Sequence, residues 1–231
     1  ASPRPRSSRS RSRPTIRAEP SERRYAGRMP FGRYTVLGDD GSPVGTEDFR
    51  SAPGPMGWRS FSQVQTSDPS PHGETLDFAV HADRRIARVR IDTGEHDLLL
   101  EPNAGGDALV GYRDRRPIEI AYGPEVHLDY FTPTTNAITT HRLSGTDEID
   151  VVYLAPVTLQ PSRVRQRYEL VGDERVQTPV GAFDATRWRF TALDSGWTSD
   201  LWVAGDIVVR YERLFKLEWL DPGASGPQPI A

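Results

Sequence analysis

The chain has 231 residues, 36% hydrophobic and 26% charged, with a formal net charge of −3 and no cysteine. That length suits one all-β domain, and the missing cysteines exclude disulfides, thiolate metal sites, a thiol nucleophile and lipid attachment through sulfur. No run approaches the roughly 18–20 apolar residues of a membrane-spanning helix, and no compact apolar leader is visible near Ala1, so the expected location is cytoplasmic.

Residues 1–30 differ in composition from the rest. They carry nine arginines against Glu19 and Glu22, a charge of about +7 that leaves about −10 on the remainder, and they include five prolines. So little apolar surface cannot offset the entropy of ordering, and a disordered basic tail is expected. It suits contact with nucleic acid, with an anionic membrane or with the acidic domain itself; a solvated extension is the plain alternative. The folded domain is expected over 31–222, followed by a flexible C-terminus over 223–231.

From Phe31 onward strand signals dominate. Gly32–Gly38 runs into Asp39-Asp40-Gly41, a hairpin turn signal. Trp58, Ser60, Ser62 and Val64 alternate with Arg59, Phe61, Gln63 and Gln65, and Ala87, Val89 and Ile91 alternate with Arg88 and Arg90. Ala108–Tyr112, Ile118–Tyr122 and Val126–Tyr130 continue the series. Thr134–His141 reads as a short helix or a loop. Later segments place Ile149, Val151 and Tyr153, then Val164, Gln166, Tyr168 and Leu170, then Trp188 and Phe190, opposite charged neighbours. Period-two alternation cut by Gly and Pro turns predicts an all-β fold, a single curved antiparallel sheet with few helices. Such a sheet must close or be covered, as a barrel, a half-barrel or a sandwich. The arginines opposite the apolar faces (Arg88, Arg90, Arg163, Arg165, Arg167, Arg187, Arg189) are expected to point outward and pair with acids.

Two segments are more specific than periodicity. One is His127-Leu128-Asp129-Tyr130-Phe131-Thr132-Pro133-Thr134-Thr135-Asn136 with His141-Arg142-Leu143; the other is Gln166-Arg167-Tyr168 with Thr178-Pro179-Val180-Gly181-Ala182-Phe183-Asp184-Ala185. Together they resemble the glycolipid-binding family of bacterial proteins over about residues 125–215. The resemblance implies a curved half-barrel around an apolar cavity, like the lipoprotein carriers of the bacterial envelope. The lipid-anchoring cysteine of those carriers has no counterpart here.

The residues themselves support two readings of the first motif. Pro133 forces an extended residue before it and ends a strand, Asn136 can hold a turn, and Asp129 and Arg142 flank that turn. The motif is then a structural latch, or a polar cluster of Asp129, Asn136 and Arg142 at a cavity mouth. The five histidines lack metal-ligand spacing with a partner acid, no phosphate or dinucleotide loop and no nucleophile elbow is present, and no cofactor is expected. Lys216, the one lysine among 29 basic residues, reads as a surface residue rather than a Schiff-base former. The expected function is non-catalytic binding or carriage of a hydrophobic or amphipathic ligand. Asp129, Asn136, His141 and Arg142 would meet its polar end, and Tyr168, Trp188 and Trp202 its apolar body. The alternatives are a small enzyme using the Asp129, His141 and Arg142 set on a hydrophobic substrate, and an interaction module acting through the basic tail.

Overall fold

The computed structural model describes residues 29–54 and 57–230. Of the basic segment, only Met29 and Pro30 fall among the described residues, and the expectation of disorder over 1–28 lies outside them. Pro30 is buried, and its carbonyl accepts from the Ser51 N–H at 3.0 Å.

The strands are β1 (Phe31–Leu37), β2 (Pro43–Gly54), β3 (Gly57–Thr66), β4 (His72–His81), β5 (Ile86–Asp92), β6 (Asp97–Pro102), β7 (Ala108–Arg113) and β8 (Arg116–Ala121), then β9 (His127–Asp129). One helix follows, α1 (Pro133–Thr140), and then β10 (Asp147–Leu154), β11 (Pro161–Thr178), β12 (Gly181–Ala192), β13 (Trp197–Ala204), β14 (Ile207–Tyr211) and β15 (Phe215–Asp221). The fold is mostly β with one short helix, as the alternation predicts. The strands divide between two sheets rather than forming one. Nine lie in the order β15-β1-β2-β3-β4-β5-β6-β7-β8 and six in the order β14-β13-β12-β11-β10-β9.

The first sheet is a meander of hairpins closed at one side by the last strand, with Tyr34 opposite Leu217. Its β1–β2 hairpin turns at Gly41, whose φ of +79° favours a residue without Cβ. The second sheet contains one parallel pair, β9 with β10. Parallel neighbours need a crossover, and α1 supplies it. Among the described strands this is the one departure from antiparallel pairing, and its cause is the helix that the motif Thr132–Asn136 begins.

That helix is the key to the interior. Thr132 is its N-cap, extended at φ −155° and accepting from the Thr134 N–H, and Pro133 occupies the first turn, where a missing N–H costs nothing. Seven of its eight residues are buried, although it is built mainly from Thr and Asn. A buried polar helix persists only if its side chains find partners. They find them on both sheets: Thr132 donates to Glu47 at 2.7 Å, Thr134 meets Ser60 at 3.2 Å, and Asn136 donates to Tyr168 at 2.8 Å. The polar inward residues of β3 are thereby explained in part: Ser60 meets Thr134 of the helix, and Ser62 lies against the Glu47 carboxylate that holds the Thr132 cap.

Around it the two inner faces pack in alternating register, Leu76, Phe78 and Val80 from β4 and Tyr168, Trp188 and Leu201 from the second sheet being buried. Four of the seven arginines expected to pair with acids do so, Arg88, Arg165, Arg187 and Arg189, whereas Arg163 donates to the Ala121 carbonyl. Arg59 and Arg88 reach Asp77 at 2.7 and 3.0 Å, Arg189 reaches Asp200 at 3.0 Å with Arg187 on the same carboxylate, and Arg165 reaches Glu148 at 2.8 Å. The stretch after β15 folds back on the β11–β12 hairpin, where Ile230 N–H donates to Ala182 at 2.7 Å. Among the described residues no helix is long and apolar enough to cross a membrane.

Candidate functional site

The helix fills only part of the space between the sheets. Beside it opens a pocket of about 380 Å³, within the roughly 300–1,000 Å³ of small-molecule sites. Its walls come from distant parts of the chain. Val164, Phe190, Ala192 and Trp197 project from β11, β12 and β13, Tyr153 from β10, and Phe131, Tyr211, Leu214 and Phe215 from the connection before α1 and the junction of β14 with β15. The rings interlock: Phe190 meets Trp197 edge-on at 5.7 Å, and Phe215 lies 5.0 Å from Phe131 and 5.9 Å from Tyr211. Exposed Asp39, Arg165, Asp194 and Ser195 rim the mouth.

The floor is polar and is made by the motif. Asp129 ends β9 and lines the cavity beside buried Asn136, Thr132 and Gln166. Gln166 donates to one carboxylate oxygen of Asp129 at 2.6 Å and Thr135 to the other at 2.8 Å. Among the described residues no cation pairs with Asp129. Burial therefore pushes its carboxyl above the usual range, and the bonds from Gln166 and Thr135 offset this only in part. Burial first and the charge of Asp129 second raise the hydroxyls of Tyr153, Tyr168 and Tyr211, so all three stay protonated around it. The Thr135 hydroxyl has one proton but faces three acceptors: Asp129, the Tyr130 carbonyl at 2.9 Å and the Thr132 carbonyl at 3.1 Å. A protonated Asp129 donating to Thr135 would release that proton for a carbonyl.

A second acid lies below the floor. Glu47, fully buried on β2, accepts from Thr132 through one oxygen while its other oxygen has no hydrogen-bond partner. Burial raises its carboxyl to about 7. On the same face Glu74 accepts from Tyr130 at 2.9 Å and faces His72 at 3.0 Å.

The sequence-predicted residues separate into three groups. Asp129 and Asn136 line the cavity, and Tyr168 sits one layer behind, holding Asn136 and packing edge-on against Phe190 at 5.3 Å. Trp188 points inward, as its alternation with Arg187 and Arg189 requires, but it is buried in the core outside the cavity lining. Trp202 does not face the cavity. It shares the outer side of β13 with Asp200, covered by the guanidinium groups of Arg187 at 5.2 Å and Arg210 at 4.5 Å, with its indole N–H donating to Glu174. The two arginines sit on the neighbouring strands β12 and β14 and Glu174 on β11, and cation–π cover makes an outward tryptophan a buried one.

His141 and Arg142 lie at the far end of α1. His141 faces the Gly205 carbonyl at 2.9 Å and Asp206 at 3.1 Å, and Arg142 donates to the carbonyls of Val126 at 2.9 Å and Pro124 at 2.6 Å. The expected cluster of Asp129, Asn136 and Arg142 therefore does not form. A tight turn would have joined them, whereas eight helical residues at about 1.5 Å each hold the two ends roughly 12 Å apart. Both residues border a separate polar depression with Asp83, Arg85 and His127. The residues that sequence reasoning did not single out for the cavity are its aromatic walls. Phe190 was within reach, because it alternates inward two positions from Trp188; Tyr211 and Phe215 meet only through the closing of the two sheets.

No family model matches the chain, and no curated protein matches it in sequence. Solved structures that share its fold include the following two. A DUF1089 family protein from Pseudomonas aeruginosa is 17% identical, with a TM-score of 0.54 over 76% of this chain and 93% of that one. A β-barrel-like protein of the domain of unknown function DUF1849 from Brucella abortus is 9% identical, with a TM-score of 0.50 over 84% of this chain and 98% of that one. At these identities the likeness is one of architecture: the chain has a β-barrel-like fold.

Proposed function

We propose that this protein binds or carries a hydrophobic or amphipathic small molecule in the cavity between its sheets, without transforming it. The observation that carries the reading is an aromatic-walled cavity of about 380 Å³ that ends on the polar set Asp129, Asn136 and Gln166. Apolar walls with a few convergent polar groups are the usual make-up of ligand sites. Each methylene buried there contributes about 0.8 kcal/mol, so about ten of them offset an association cost at the lower end of its range. The enzyme reading needs Asp129, His141 and Arg142 together, and the helix that separates them removes its geometric basis.

The test is purification without detergent, organic extraction and mass spectrometry of the extract, followed by titration of the delipidated protein with a long-chain fluorescent lipid. A co-purified amphiphile and saturable quenching of tryptophan emission support the reading. An empty extract together with no quenching overturns it.

A further inference from the structure

Resting on that reading, we propose that the cavity selects amphiphiles whose head carries a positive charge, seated against Asp129 and ringed by Tyr153, Phe190, Trp197 and Tyr211. Three observations lead there. First, Asp129 lines the cavity, and among the described residues its hydrogen-bonding side-chain partners are neutral, Gln166 at 2.6 Å and Thr135 at 2.8 Å. A carboxylate surrounded by protein and lacking a counter-ion is costly, and a cationic guest supplies the missing charge. Second, the cavity that Asp129 lines has aromatic walls, Tyr153, Phe190, Trp197 and Tyr211, and ring faces attract cations. Third, among the described lining residues no basic side chain is free to pair with an anionic head. Arg165 is the one basic residue in it, stands at the mouth and is engaged with Glu148 at 2.8 Å. The other charged lining residues, Asp39 and Asp194, are acidic, and Glu47 lies beneath Thr132.

A quaternary ammonium suits such a site better than a primary amine. It is weakly hydrated, so little solvation is lost on entry, and it makes no demand for hydrogen bonds that the aromatic walls cannot meet. A fatty acid is disfavoured by the same arrangement, because its carboxylate would approach Asp129 without a cation between them.

The test compares three probes with one chain length, dodecyltrimethylammonium, dodecyl maltoside and dodecanoate, each below its micelle concentration at pH 8, by tryptophan quenching. The expected result is that the trimethylammonium probe binds about tenfold or more tighter than dodecanoate, a margin of about 1.4 kcal/mol. In Asp129→Asn this preference is lost while dodecyl maltoside still binds, and in the rim variant Asp39→Asn/Asp194→Asn it persists. Equal binding of all three probes by the unaltered protein, or tighter binding of dodecanoate, overturns the head-group proposal and leaves the cavity reading standing. Quenching by none overturns both. Loss of the preference in the rim variant assigns it to the mouth and overturns the role of Asp129. The wild-type comparison decides even if Asp129→Asn folds poorly.

Discussion

The carboxamide of Asn136 donates to the hydroxyl of Tyr168 across 2.8 Å, with both side chains buried. This bond ties α1 to the second sheet directly behind the cavity floor. Tyr168→Phe removes the acceptor and leaves a buried amide without its partner, a loss of about 1–3 kcal/mol. Urea unfolding should show that loss as a lower midpoint with an unchanged slope. An unchanged midpoint would mean that the helix is held by its other contacts alone.

Glu47 predicts a pH dependence of stability. Its carboxyl stands at about 7 in the folded protein against an ordinary value of 4.5. Between those values the folded state keeps a proton that the unfolded state releases, so stability contributed by this group falls as pH rises through the window. Above about pH 7 the cost reaches its full size, on the order of 3 kcal/mol. Glu47→Gln keeps the bond from Thr132 and has no charge to bury. It should raise the thermal midpoint at pH 8 and change it little at pH 4. An equal shift at both pH values would show that ionisation is not the cause.

His127 runs in the opposite direction. Burial, and then the nearby Arg142 charge, lower it to about 3 from 6.5. The unfolded state therefore takes up a proton first, and stability is present above pH 6.5 and lost as pH falls toward 3. His127→Gln should flatten the acid limb of a stability profile between those values. A limb of unchanged steepness would place the acid sensitivity elsewhere.

The positions of Trp197 and Trp202 separate the cavity from the outer face. Trp197 lines the cavity, and Trp202 lies under Arg187 and Arg210. Quenching by a cavity ligand should be much reduced in Trp197→Phe and kept in Trp202→Phe. The reverse pattern would move the ligand to the outside of β13.

Strand content was legible because burial on an antiparallel sheet imposes period two. Trp58, Ser60, Ser62 and Val64 are buried in β3 just as they alternate in sequence. The helix was harder to read. Pro-Thr-Thr-Asn-Ala-Ile-Thr-Thr has no apolar stripe because α1 is enclosed between the sheets, and its polar groups are satisfied by Glu47, Ser60, Asp129 and Tyr168. Nothing local in the sequence names those partners. Trp202 was misplaced for the same reason: the arginines that cover it stand on β12 and β14, and its alternation with Leu201 and Val203 signalled only that it faces the other way. Asp129 and Asn136, which line the cavity, stand in a motif visible in the sequence, whereas the walls depend on how two sheets close.

Ala192 offers the most direct test of the central claim, because it lines the cavity beside Phe190 on the edge of β12 paired with Gln166 and Trp197. Ala192→Phe places a ring in the space assigned to the ligand without touching Asp129. Titration of this variant and the wild-type protein with dodecyl maltoside, followed by isothermal calorimetry, should show binding weakened at least about tenfold, about 1.4 kcal/mol, with the thermal midpoint of the free protein unchanged or raised. Equal affinity in a variant that remains folded would contradict the account and place the ligand outside this cavity.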